Sequence, residues 1–150
     1  MKKQILNFVA TIGFLFVLSS VSAFAQVPAL TANVPFDFQV NGKTMAAGKY
    51  AIAEPAAPRG TLIIRTIAWK SPAVSIFQKV DDKQAATATQ LVFHRYGDKY
   101  FLAKMQIQGQ KEAMELPTSA AERDLVKESS GRHLANNKVE PEIVTVALVQ

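Results

Sequence analysis

The clearest alternation of apolar and polar positions runs through VPFDFQV, residues 34–40. Val34, Phe36, Phe38 and Val40 fall on one face, Pro35, Asp37 and Gln39 on the other, and a period of two marks a strand with one face buried. Pro35 has no N–H to give a ladder, which suits an edge or a strand beginning. Asn41-Gly42 follows and invites a two-residue hairpin turn. The register argues against it, because pairing Val40 with Lys43 sends Tyr50 and Ile52 to the face opposite the phenylalanines. A longer connection, or a bulge near Gly48, returns them to the core. The second strand is therefore expected at about 49–54.

Further along, EPAAPRG (54–60) is a proline-broken loop, and TLIIRTIAW (61–69) is a strand with both faces apolar from Leu62 to Ile64. SPAVSIFQKV (71–80) predicts a strand with Val74, Ile76 and Val80 sharing one face, and DDKQAATA (81–88) a solvated turn. LVFHRYGDKYFLAKM (91–105) predicts two strands around a Gly97-Asp98 turn, glycine supplying positive φ at the first turn position. Arg95 then faces Tyr100, Phe93 faces Leu102 and Leu91 faces Lys104. Val92, His94, Tyr96, Lys99, Phe101 and Ala103 share the opposite surface. In PTSAAERDLVKESSG (117–131) the Ser119 and Glu122 spacing is that of a capping box, and Gly131 is placed to end the helix. PEIVTVALVQ (141–150) is a last strand, apolar on both faces as a central or doubly covered strand is. The sum is a mainly β fold, an antiparallel barrel or sandwich of about seven strands, with one late helix at about 119–129 before the final strand.

The first 25 residues are set apart from that fold. Lys2 and Lys3 precede an apolar run centred on Phe8 to Leu18, and the segment closes on Ala23-Phe24-Ala25. These are the three parts of a secretory signal peptide, with an A-x-A cleavage site. The apolar run is shorter than the roughly 20 residues of a spanning helix, so no stable membrane span is expected after cleavage. The expected organisation is a signal peptide, 1–25, and one β-rich domain, 26–150, in a periplasmic or extracellular protein. A chain of that size buries roughly two-thirds of its surface on folding.

Loss of Lys2 and Lys3 lowers the net charge from +5 to +3. The remaining basic residues are scattered, whereas phosphate-backbone binding needs a concentrated positive footprint. Nucleic acid is not an expected partner. No cysteine occurs, which removes disulfides, thiolate nucleophiles, cysteine-bound metals and a lipidated cysteine near the cleavage site.

Chemistry is concentrated in the 91–105 stretch. His94 as a general base needs a substrate proton in reach and usually an orienting partner; a carboxylate such as Asp37 is the kind of group required. Without one, His94 is a partly covered strand residue and Asp98 a turn residue. His94 and His133 lack regular ligand spacing, so no metal site is expected. There is no G-x-S-x-G elbow and no glycine-rich phosphate loop, so no catalytic or cofactor-binding residue is assigned and no cofactor is expected. Glu122, Arg123 and Asp124 read as a solvated first turn favoured by the helix dipole. His94, Tyr96, Tyr100 and Trp69 stand as weak surface or ligand candidates, Trp69 being more readily a core or rim aromatic.

ANVPFDFQVNGKTMAAGKY, LVFHRYGDKYFLAKM and ELPTSAAERDL together resemble a group of small exported bacterial proteins of unknown function. These share a VPF-x-F strand, an AGxY step, an FHxYGxxYFL hairpin and an E-L-P…ER helix start. The likeness covers most of the mature chain. It departs at Met45-Ala46-Ala47, where a leucine and a proline are expected before Ala-Gly. It implies export and fold, and supplies no catalytic residue.

The expected function is a non-enzymatic interaction or envelope-associated module with a protein, envelope or small apolar ligand partner. The alternative is a lipocalin-like carrier, from the order of strands, late helix and last strand. An interior filled by Phe36, Phe38, Phe77 and Phe93 leaves no room for a cargo. An outer-membrane barrel needs strands of about 9–11 residues with aromatic girdles, which this chain lacks. Exposed strand edges leave a homodimer open.

Overall fold

A computed structural model describes residues 29–68, 72–132 and 140–149. The proposed signal peptide, Trp69 and His133 lie outside the described residues. Among the described residues the chain is mainly β, with eleven strands rather than about seven, and one helix late in the sequence before the final strand.

The extra strands come from splitting segments read as continuous. VPFDFQV does not run straight: β1 (Leu30–Val34) ends at Pro35, and β2 (Phe38–Val40) starts after Asp37. β1 pairs with β4 (Gly48–Ala53), whereas β2 pairs with β3 (Lys43–Met45). Pro35 offers no ladder N–H at the break, and Asp37 Oδ1 accepts the Ala47 N–H at 2.8 Å, fixing the corner. The burial pattern is as expected even so, with Val34, Phe38 and Val40 buried and Phe36 packed against the core.

A two-residue turn joins β2 and β3, contrary to the register expectation. Asn41 and Gly42 both have positive φ (48° and 80°), and Val40 pairs with Lys43. Such φ values belong to a type I′ hairpin turn. The register difficulty is resolved at Ala46-Ala47, where the strand breaks. β4 then pairs with β1, which carries Tyr50 and Ile52 into the core.

β5 (Thr61–Thr66) follows, then β6 (Ala73–Ile76) and β7 (Gln78–Asp81). Val74 and Ile76 share a face, and in β6 that face is the outer one. Val74 and Ile76 are 52% and 67% exposed, while Ala73 and Ser75 point inward. β6 ends the sheet path and comes alongside β2, and Lys43 Nζ donates to the Pro72 carbonyl at 2.8 Å nearby. Small inward side chains let the two edges approach. The sheet is thereby bent into a nearly closed barrel.

β8 (Gln90–Tyr96) and β9 (Lys99–Gln106) form the central hairpin. Gly97 has φ 65°, and Tyr96 pairs with Lys99 across the turn, as expected. A bulge at Val92/Phe93 shifts the far end, so that Leu91 pairs with Met105 and Lys104 with Val92. β9 also carries β10 (Glu112–Glu115) at its far end and makes a parallel bridge to β2 through Gln39 and Phe101, an exception to the otherwise antiparallel pairing. β10 pairs in turn with β7. β11 (Glu142–Val149) lies between β8 and β1. It is central but not doubly covered among the described residues: Val144, Val146 and Leu148 pack inward, while Ile143 and Val149 are exposed.

The inner faces meet in an aromatic relay. Tyr100 stacks on Phe36 with centroids 3.9 Å apart, Phe36 meets Phe93 edge-on at 5.2 Å, Phe93 meets Phe38 at 5.4 Å, and Phe38 meets Tyr50 at 5.2 Å. Edge-to-face pairs add about 0.5–1.5 kcal/mol each beyond burial. Phe77 packs at the margin of this core. The four phenylalanines expected inside are therefore in contact with the core, two of them fully buried.

Candidate functional site

The helix α1 (Ala120–Arg132) begins where its cap says it should. Ser119 Oγ accepts the Glu122 N–H at 3.1 Å, and Ser119 O accepts the Arg123 N–H at 3.0 Å. Two expectations fail. Gly131 does not end the helix, which continues to Arg132. Glu122 is not part of a solvated face; it is 4% exposed.

The Glu122 side chain crosses to the outer face of the barrel. Its Oε1 lies 2.8 Å from His94 Nδ1 and accepts the Tyr96 hydroxyl at 3.3 Å. His94 and Tyr96 are two apart on β8, so they share a face, and that face is opposite the one holding Phe93. Phe101, the cross-strand partner of His94, is buried on this outer side with its ring 6.0 Å from that of Tyr96. The carboxylate partner that His94 needs is thus Glu122, 28 residues away in sequence, and Asp37 is occupied elsewhere.

Burial first, and then the charge and hydrogen bond of Glu122, push the Tyr96 phenol up to about 12. It therefore stays protonated and acts as a fixed donor to the carboxylate. His94 Nδ1 is held by Glu122, and among the described residues Nε2 has no hydrogen-bond partner.

His94 also forms part of a cleft of about 300 Å³ on the outer face. Val92, Ala103 and Ile143 are its apolar lining, and Gln90, Lys104, Gln106, Glu115 and Thr145 line it with polar groups. A polar chain organises one side. Gln90 Nε2 donates to Gln106 Oε1, Gln106 Nε2 donates to Asp82 Oδ2, and Lys104 Nζ donates to Asp82 Oδ1, each at 2.8 Å. The bonds from Lys104 and Gln106 hold the Asp82 carboxyl below the usual carboxylate range. Asp82 was expected in a solvated turn. It instead ties the end of β7 to β9, and that contribution is present above the ordinary carboxylate range and lost as pH falls through the lowered value.

A second cleft, about 600 Å³, opens at the Glu54–Gly60 loop beside Phe77 and Arg59. It is the larger of the two, but it is separated from the His94 cluster, and its walls are mostly loop. Tyr100 belongs to the inner relay, with the Arg95 guanidinium carbon 5.5 Å from its ring centroid. Of the four sequence candidates, His94 and Tyr96 are brought together, Tyr100 faces the other way, and Trp69 is not described. The residue missed was Glu122. Its signal lay in the capping-box spacing, where an i+3 carboxylate invited a local role and hid the long-range one.

No protein-family model, curated protein or solved structure matches the chain.

Proposed function

We propose that this chain is an exported, non-enzymatic binding module, working in the periplasm or outside the cell, whose recognition surface is the outer face around His94. The observation that carries the reading is the contrast between a barrel interior filled by Phe38, Phe93 and their neighbours and an outer cleft lined by convergent polar groups. The lining is mixed, with Val92, Ala103 and Ile143 beside the polar Gln90, His94, Lys104, Gln106, Glu115 and Thr145, and placed polar groups of this kind fix the orientation of a partner. His94 and Glu122 have the separation of a base and its orienting carboxylate. Among the described residues, no serine, threonine or cysteine lines the cleft apart from Thr145, an exposed strand residue, and this favours binding over turnover. The basic n-region and A-x-A ending support export, as does the resemblance to small exported proteins.

The carrier reading needs a hollow barrel, which the aromatic relay argues against. The test is native mass spectrometry of the mature chain isolated from its producer, joined to broad hydrolase substrate panels. A bare barrel without turnover is expected. Bound lipid at a fixed stoichiometry, or turnover abolished by His94→Ala, overturns the proposal.

A further inference from the structure

Closure of the barrel leaves one edge of β7 open. Among the described residues β7 pairs with β10 alone, and the ladder says which of its residues turn away from that partner. The Asp82 N–H donates to the Lys111 carbonyl at 2.8 Å, and the Leu116 N–H donates to the Ala103 carbonyl at 2.8 Å. Antiparallel strands exchange bonds at every second pair. Gln78 and Val80 therefore turn their backbone groups to β10, while Met114 turns its own to β9. Phe77, Lys79 and Asp81 face the other way. The Phe77 N–H is met by the Gly60 carbonyl at 2.9 Å. Thr61 pairs with Ile76, so carrying that register on would set Pro58 against Lys79, and proline has no N–H to give. The loop instead stands off, behind the cleft of about 600 Å³ beside Phe77 and Lys79. Lys79 and Asp81 have no backbone partner on this side among the described residues, and both are exposed.

We propose that this edge pairs with β7 of a second copy of the chain, antiparallel about a two-fold axis at Val80. A strand edge with unpaired N–H and C=O groups is a template for another strand. The side chains select which strand. Lys79 and Asp81 lie two residues apart on one face. An axis at Val80 sets Lys79 opposite Asp81 of the second copy, and Asp81 opposite its Lys79. Each such pair exchanges two backbone hydrogen bonds and brings opposite charges side by side. Moving the axis to Lys79 or to Asp81 opposes like charges instead. An edge carrying lysines alone would repel its copy, whereas this one complements itself. Lys79 already meets Glu112 at 2.9 Å, but an ammonium has three N–H donors, so a second carboxylate joins the pair without displacing the first. The contact is short, well below the roughly 1,200 Å² of a stable complex. The dimer therefore exchanges rapidly and fills only at high protein concentration.

The test follows the mature chain by sedimentation velocity and amide-resolved NMR over a hundredfold range of concentration reaching the millimolar. Concentration-dependent shifts centred on residues 78–82 are expected. Association should be about tenfold weaker in Lys79→Asp and in Asp81→Lys, where each cross-strand pair becomes like-charged. Mixing the two variants should restore it, because every pair between them is again of opposite charge. A monomer at every concentration overturns the proposal, as does association that the charge changes leave untouched, or shifts centred elsewhere. The neutral extended peptide N-acetyl-Thr-Val-Thr-Val-Thr-amide is then added to the dilute chain, and the Lys79 and Asp81 amides should stay in place. Shifts as large as those of self-association would make the edge a general acceptor of peptide strands and overturn the self-pairing.

Discussion

One hairpin, β8–β9, has two faces that do different work. The inner face, through Leu91, Phe93, Leu102 and Met105, is apolar and merges into a packed core. The outer face, through Gln90, His94, Tyr96, Lys104 and Gln106, is a hydrogen-bonded polar surface capped at one end by Glu122. The same backbone ladder supports both, so the inner face supplies the rigidity that fixes the outer side chains in place. Rigid strands position a site more closely than loops do, and this separates the outer cleft from the loop-walled one beside Phe77.

The largest effect comes from the inner face. Phe93→Ala leaves a cavity at the centre of the aromatic relay and should cost about 3–5 kcal/mol, read as a fall in urea midpoint at unchanged slope. From the outside, Glu122→Ala removes the acceptor shared by His94 and Tyr96 and should cost about 1–3 kcal/mol. It should also speed amide exchange in α1 while leaving β8 protected. If exchange rises equally in helix and strands, the two faces are not separable.

Ser119→Ala removes the cap and should cost about 1 kcal/mol, again with faster exchange confined to the first turn of α1. Smaller still is the pH signature of Tyr96. Its phenol keeps its proton to a higher pH in the folded chain than in the unfolded one, so its contribution is complete below about pH 10 and fades towards about 12. The urea midpoint should fall more steeply over that window in the wild type than in Tyr96→Phe. At the bottom of the scale stands the exposed Lys79–Glu112 pair, 2.9 Å apart with both side chains more than half exposed. Lys79→Ala should leave the urea midpoint unchanged, since exposed pairs contribute little.

Much of the inner face could be read from the chain because period-two alternation reports burial directly. Val34, Phe38 and Val40 are buried as their spacing implies, and Gly97-Asp98 is a turn because only a few residue types take positive φ there. What escaped was anything fixed by closure or by distant contact. β6 turns Val74 and Ile76 outward because Ala73 and Ser75 fit the seam beside β2, a requirement that no local pattern carries. The hairpin at Asn41-Gly42 conflicts with an inward Tyr50 only if β3 and β4 are one strand, and they are two, β3 ending at Met45 and β4 starting at Gly48. Of the site, His94 and Tyr96 were visible as candidates from composition alone. Glu122 was not, since its local spacing already satisfied a helix-capping rule and its true partners lie on another element.

Methyl-resolved NMR tests in one titration whether the barrel interior is filled. With a medium-chain fatty acid added, the inner methyls of Ile52, Ile64 and Leu91 should stay where they are. Saturable shifts of the inner methyls on adding the fatty acid would mean that the barrel opens to an apolar cargo, and would contradict the filled interior on which the outer-face reading stands.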